Sequence, residues 1–473
     1  MGPVESLRHF IPELILLGGS LTALCLDLFL KGKRYIGWFS VLVLAAASCL
    51  LTSPREPLEL FYGFFHLDSF ANIFRALALI AVAATLLISF GFSPIRKDGQ
   101  EGEFYGLFLL MAFALITVAA ANNLLMIFLT VEFVSILSYL LTGFLKNDPK
   151  AKEAAVKYLL FGSFCSGVML YGMSLLFGAA GSISLPSIGH ALNSLPAMKP
   201  IATVGLLAFF VGLGFKISMA PFHLWAPDVY EGAPTPVTAF LTVAPKALGF
   251  AVLMRVLSAM FGTSPIESPV ILMWLSILTM TIGNLTAISQ KNIKRLLAYS
   301  SIAQAGYILM GLAVFPSTLG RDAILVYLFA YLFTNLGAFA IVTFIGEHTG
   351  DDEIASYAGL SRRSPVSATL LTVFLLSLTG LPPLAGFIGK YYVFAAAIEA
   401  NFILLAVAAA LNSAVAAYYY FRIIRVMYLV PPTDPQTSLP KPSVSSSVVT
   451  WLMFAGVLGL GLFPACFIRL ILN

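Results

Sequence analysis

Three lysines and a glutamate stand where an apolar chain should carry no charge. Glu132 sits midway through "NNLLMIFLTVEFVSILSYLLTGF", and Lys216, Lys246 and Lys390 are each embedded in long hydrophobic runs. An ionisable side chain at the centre of a bilayer costs about 2.5–3.5 kcal/mol on insertion scales, so four of them imply a use. The chemistry they suit is proton transfer. Burial disfavours the charged form of a lysine while a neighbouring carboxylate favours it. The charge on Lys216 would therefore follow the position of Glu132. Arginine offers no such response, because it stays protonated. The plainer alternative is a static ion pair that fixes helix packing.

Polar side chains recur at helical spacing around these four. Glu132, Ser135, Tyr139 and Thr142 fall on one helix face, as do Tyr327, Tyr331 and Asn335, and again Ser300, Gln304 and Tyr307. Any one stripe also fits an interhelical hydrogen-bonding seam. Three of them beside three lysines and a glutamate read as a hydrated path. Two arginines are left open: Arg75, one to two turns inside its span, and Arg255, placed to snorkel from the outer end of its own.

Proline marks where the path should be built. In a helix interior it removes a hydrogen bond and clashes with the preceding turn. Pro221 in "SMAPFHLW" and Pro382–Pro383 in "TGLPPLAGFIGK" should each break a span. Broken spans are tolerated at membrane depth only where the freed backbone is buried or lines a cavity. Each break has a lysine near it, Lys216 five residues before Pro221 and Lys390 seven after Pro383. Paired interrupted helices of this kind point to a transport site. His223, just past the first break, is either a proton relay, since imidazole titrates near neutrality, or a hydrogen-bonding cap. Asp228 and Glu231 read as exposed loop or capping residues of the same turn.

The elements that must hold these groups follow from composition. Of 473 residues, 59% are hydrophobic and 10% charged, against about 25% charged in an ordinary soluble domain. Fourteen spans are expected, the first seven near 10–30, 35–53, 67–92, 104–120, 123–145, 153–179 and 200–220. The rest lie near 234–261, 268–289, 294–315, 322–346, 365–399 (broken), 402–428 and 447–470. The chain is an all-α polytopic membrane protein. No small-residue cleavage pattern follows Arg8, so the first span is expected to stay. Cys25, Cys49, Cys165 and Cys466 form no metal or redox pattern and read as small core residues. No nucleotide-binding loop is visible either.

Alternate loops hold 17 basic residues on one side and 5 on the other. This positive-inside bias puts both termini away from the cytoplasm. Such scattered charge does not suit nucleic acid. The acidic loop "GEHTGDDEIASYAGLSRRSP" and the linker "VPPTDPQTSLPKPSVSSS" read as solvated connections, the linker also able to lie across neighbouring helices or a partner.

Organisation repeats. Asn123 and Asn292 open the second helix of each of two five-helix sets, 93 and 98 residues before the lysine of the broken helix. Five is odd, so the second set must be inverted in the membrane. The reading is a single membrane domain, 1–473. It holds an N-terminal three-helix segment (1–92), repeats at 104–261 and 268–428, each containing a broken helix, and a C-terminal helix (447–473).

"GFKISMAPFHLWAPDVYEGAPTPVTAFL", "QKNIKRLLAYSSIAQAGY" and "LAGFIGKYYVF" resemble the N-type antiporter-like subunits of bacterial respiratory complex I, NADH–quinone oxidoreductase, along essentially the whole chain. The resemblance implies a proton-translocating membrane-arm subunit. FMN, iron–sulfur clusters and quinone would belong to partner subunits, with no cofactor in this chain. Its neighbours would be M-type antiporter-like and small membrane subunits in a bacterial inner membrane. By position, Glu132, Lys216, Lys246 and Lys390 match the family's proton-path residues. Lys157 in "AAVKYLL" also matches a family lysine, though its place near the cytoplasmic end equally suits a positive-inside anchor. Gln304 stands where some relatives have histidine, which leaves it a polar, water-holding role. The alternative is a subunit of a cation/proton antiporter without redox activity.

Overall fold

The computed structural model describes residues 1–30, 32–51, 56–97, 99–194, 196–259, 268–432 and 439–472. Lys31 and Arg55 of the charge tally, and 433–438 of the linker, lie outside these residues. Helices α1 (Pro3–His9), α2 (Ile11–Phe29) and α3 (Arg34–Cys49) lead into an antiparallel hairpin, β1 (Leu58–Leu60) and β2 (Phe65–Leu67). Then come α4 (Ser69–Ser89), α5 (Ser93–Lys97), α6 (Glu101–Ala120), α7 (Leu124–Thr142), α8 (Pro149–Ala180) and α9 (Leu185–Ser194). They are followed by α10 (Lys199–Ile217), α11 (Ala226–Gly232), α12 (Thr235–Ala259), α13 (Ser268–Ala287), α14 (Ile293–Ala313) and α15 (Thr318–Thr349). The chain ends with α16 (Leu360–Arg363), α17 (Pro365–Thr379), α18 (Ala385–Glu399), α19 (Ile403–Leu429), α20 (Val444–Leu462) and α21 (Pro464–Leu472).

Among the described residues, twelve helices are long and apolar enough to cross a membrane. The shorter α3 and the α17–α18 pair supply the remaining two expected spans. The hairpin was not legible in the pattern. Its turn forms because Phe61, Tyr62 and Gly63 all take positive φ, 49°, 59° and 88°.

The chain parts into two compact units. One holds residues 1–86, 95–218 and 244–268, the other 87–94, 219–243 and 269–473. In each, an asparagine does the same local work. Asn123 caps α7 by accepting from the Met126 amide at 2.8 Å, and Asn292 caps α14 by accepting from Arg295 at 3.1 Å. The next amide, Leu124 or Ile293, bonds a loop carbonyl, Ile183 at 2.9 Å or Asp352 at 2.7 Å.

The breaks lie upstream of the prolines. A proline ring clashes with the preceding turn and restricts the residue before it, so a helix ends ahead of the proline. Helix α10 ends at Ile217 and α17 at Thr379. The first break thus begins at Ser218, within the expected "SMAPFHLW" stretch, and just beyond it the chain forms the seven-residue α11. Pro245 lies inside α12, whose ladder it interrupts. The freed carbonyl of Leu241, four residues back, accepts from the Tyr230 hydroxyl at 3.2 Å.

In the first unit α8 and α10 meet almost backbone to backbone. A Cβ at Gly172 would lie 2.5 Å from the Gly205 carbonyl oxygen and 2.6 Å from the Phe209 nitrogen. Small residues permit such approach where no water drives helices together.

Candidate functional site

Glu132 and Ser135 lie one turn apart on α7, and Lys216 lies in the last turn of α10. Lys216, 6% exposed, donates to the Ser135 hydroxyl, and Ser166 of α8 donates to Glu132. The Ser135 hydroxyl lies 3.5 Å from Glu132 Oε1 and 2.7 Å from the Val131 carbonyl, to which its proton is better directed. A rotation of that hydroxyl would link the ammonium to the carboxylate. The Lys216 ammonium also stands 5.9 Å from the Tyr139 ring centroid. Three helices thus bring together what the sequence separates by 84 residues.

Lys246 is 3% exposed on α12. One turn later, Gly249 packs on α10, where a Cβ would meet Ile217 at 2.6 Å and Lys216 Cβ at 3.5 Å. Thr242, one turn before Lys246, accepts from the Asn335 amide.

In the second unit Lys390 lies inside α18 and its ammonium reaches back across the break. It donates to the Thr379 carbonyl at 2.8 Å and to Ser413 at 2.7 Å, 4.5 Å from the Tyr307 ring centroid. The last carbonyls of a helix have no partner in their own ladder and carry partial negative charge. By stopping α17 at Thr379, the prolines create an acceptor for the lysine. Gly380 completes the fit, since its φ is 92° and a Cβ there would lie 2.7 Å from Lys390 Cδ.

Around this lysine the polar stripes converge. Gln304 donates to the Leu378 carbonyl at 3.2 Å and to the Tyr420 hydroxyl at 3.4 Å, and accepts from Tyr327. Tyr420 in turn bonds Ser300. Asn284 links Tyr307, Asn412 and Tyr419 at 3.4, 3.2 and 2.9 Å. The Tyr331 hydroxyl and Asn335 Oδ1 are buried with no partner among the described residues. Polar atoms left so in an apolar interior are where ordered water belongs.

Other expected roles change. Lys157 pairs with Glu153 at 2.7 Å on the outward part of α8 and is 39% exposed, nine residues and about 13 Å along the helix from Ser166. His223 is 6% exposed within the 218–225 turn, and α11 has no side-chain N-cap bond. Asp228 and Glu231 are not exposed loop residues, because Arg295 at the start of α14 bonds both, at 2.7 and 3.0 Å. Lys294, counted as a loop charge, is buried and donates to the Ala233 carbonyl at 2.8 Å, with Asp352 at 3.4 Å. The acidic loop is correspondingly only partly solvated, since Tyr357 and Leu360 are buried.

Arg255 does not snorkel. Asp68 holds it at 2.9 Å, and it donates to the Ala119 carbonyl at 3.2 Å. Arg75 forms a fully buried ion pair with Glu13 of α2 and donates to Asn72 at 2.9 Å. Glu13 was missed as a buried charge because it lies in the first turn of its helix. Of the cysteines only Cys165 is a core residue; Cys25, Cys49 and Cys466 are exposed, because the apolar faces they occupy look outward. Ser166 and Ser413, missed at the sequence level, are single hydroxyls in apolar runs, and only their helix phase marks them.

Residues 121–416 match the family described as NADH:quinone oxidoreductase/Mrp antiporter, TM. NADH-quinone oxidoreductase subunit N 2 of Sorangium cellulosum is 43% identical, the match covering 90% of this chain and 89% of that one. Subunit N 1 of Koribacter versatilis is 40% identical, covering 98% and 94%. A chain of respiratory complex I from Thermus thermophilus with bound aureothin superposes with a TM-score of 0.82 at 33% identity, covering 97% and 98%.

Proposed function

We propose how this chain, which belongs to the subunit N family of NADH-quinone oxidoreductases, moves protons as the antiporter-like membrane subunit of that enzyme. The observation that carries the reading is the Ser135 hydroxyl, which accepts from Lys216 beside Glu132. With Glu132 near, the Lys216 ammonium is stabilised; with Glu132 withdrawn, a lone ammonium in hydrocarbon is the costly state and the proton leaves. Removing the partner of a buried charge costs about 3–5 kcal/mol. Moving a charge against 100 mV takes about 2.3 kcal/mol, so displacement of one carboxylate suffices.

Lys246, on the helix that packs against the Lys216 backbone, takes the proton next. Lys390, surrounded by hydroxyls and the Gln304 amide, is the group from which it departs. His223 serves the cytoplasmic end as a relay. Lys157 acts as an anchor or an accessory donor. The working parts are the two five-helix repeats, 104–261 and 268–428.

Electrons pass through FMN, iron–sulfur clusters and quinone held by other subunits. M-type and small membrane subunits flank this one in a bacterial cytoplasmic membrane, with both termini on the periplasmic side. The names of relatives at 40–43% identity favour this redox-coupled reading over an antiporter without redox activity.

The test is Lys216→Met in the whole complex, reconstituted into liposomes. NADH oxidation and dye-reported acidification should fall together while assembly is retained. Full turnover with full pumping would sink the role assigned to Lys216.

A further inference from the structure

A cavity of about 880 Å³ lies within the second unit, between the starts of α17 and α20 and the end of α15. Its polar wall contains Arg363, Ser364, Lys441 and Ser447. Two helix N-termini share this wall. Ser364 makes no side-chain cap to α17, its hydroxyl going to Ser367 at 2.9 Å. Ser443 caps only the Ser446 amide of α20, at 3.2 Å. First-turn amides have no carbonyl a turn earlier, and the helix dipole adds positive charge there. Such ends bind anions.

The two cations reinforce them. Arg363 donates through Nη1 to the Ser356 carbonyl at 3.0 Å, but its Nε is buried with no partner among the described residues. The linker is tied beside it, the Leu439 amide donating to the Arg363 carbonyl at 3.3 Å, which brings Lys441 to the same wall.

The rest of the lining is hydrocarbon and aromatic, with Phe344, Leu370, Trp451 and Leu452. Trp451 and Leu452 lie about 11–12 Å along α20 from its first residue, most of the way through one leaflet's hydrocarbon. A free inorganic anion would leave that depth empty. Basic pockets between membrane helices suit anionic lipid headgroups. The geometry points to a bound anionic phospholipid, its phosphate between Arg363 and Lys441 at the two helix ends and one acyl chain against Leu370 and Trp451. This site is independent of the proton path.

The test uses the whole respiratory complex, purified in mild detergent, depleted of loosely bound lipid and resupplied with phosphatidylglycerol bearing a diazirine in one acyl chain. A matched phosphatidylcholine probe is run in parallel. The anionic probe should label peptides carrying Leu370 and Trp451, and Arg363→Gln with Lys441→Gln, which removes both cationic contacts, should lower that labelling by at least roughly tenfold. Equal labelling by both probes, or no change in the double variant, overturns the assignment. Should the variant fail to assemble, competition on the wild-type complex decides. Unlabelled phosphatidylglycerol should suppress the signal, while phosphatidylcholine and inorganic phosphate should not. Suppression by either of the latter, or a partner-subunit peptide occupying the site in place of lipid, refutes it.

Discussion

Lys216 donates to a hydroxyl that lies 3.5 Å from a carboxylate oxygen, whereas Lys390 donates to a helix-end carbonyl at 2.8 Å and a serine at 2.7 Å. Both lysines accompany a proline-broken helix, and both are almost wholly buried. The difference is in what holds the charge. A carboxylate can move or take up a proton, so Lys216 has a neighbour whose charge is variable. The Thr379 carbonyl is a fixed dipole of the backbone and cannot be neutralised. On the proposed reading, the same sequence device gives Lys216 a partner that can switch its charge and gives Lys390 a fixed acceptor that favours the charged form until its proton departs.

The largest expected effect belongs to neither lysine and tests whether buried charge alone implies transport. Glu13→Gln leaves Arg75 buried without its counter-charge, which should cost about 3–5 kcal/mol. The yield of assembled complex should fall steeply in pull-downs, while whatever assembles pumps at the normal proton-to-electron ratio. A changed ratio would place Glu13 on the path.

Next come the groups that define the contrast. Glu132→Gln and Lys216→Met should each reduce coupled NADH–quinone turnover by about tenfold, the lower range of a positioned proton-transfer group. If Lys390→Met matches them while Glu132→Gln is silent, the contrast between the two lysines is wrong.

Hydroxyl removal sharpens the same point. Ser135→Ala deletes the hydroxyl that accepts from Lys216 beside Glu132, and turnover should fall several-fold. Ser413→Ala leaves Lys390 its Thr379 carbonyl, so its effect should stay near the roughly 0.5–1.5 kcal/mol of one hydrogen bond. Comparing initial rates of the two variants at saturating NADH checks the order.

The smallest pair concerns the breaks themselves. Gly380→Ala imposes a Cβ at φ 92° and against Lys390, and should cost about 1–3 kcal/mol in thermal unfolding of the complex. Ser218 already holds a left-handed φ of 57°, and its hydroxyl is buried without a partner among the described residues. Ser218→Gly should therefore be neutral or raise stability by up to about 1 kcal/mol.

The helices were legible because apolar runs of membrane length leave little choice, and the asparagine caps of α7 and α14 could be placed from spacing alone. The site was legible as a list of charges. Its wiring was not, because Ser166 meets Glu132 and Ser413 meets Lys390 through helix phase and tertiary packing, neither of which a linear pattern encodes. The fates of Arg255 and Arg295 were hidden for a related reason. Their partners, Asp68 and the Asp228–Glu231 pair, lie 187 and 64–67 residues away and look like ordinary loop acids. The end of α10 was legible too, since a proline stops a helix ahead of itself and the break begins at Ser218, inside the expected stretch.

The glycine seam between α8 and α10 constrains how any of this moves. With Gly172 set against the Gly205 carbonyl and the Phe209 nitrogen, any side chain at this point would push α10 away from α8. The pivot of Lys216 is set by that contact, and its four methylenes carry the ammonium about 6 Å from Cα in the most extended form.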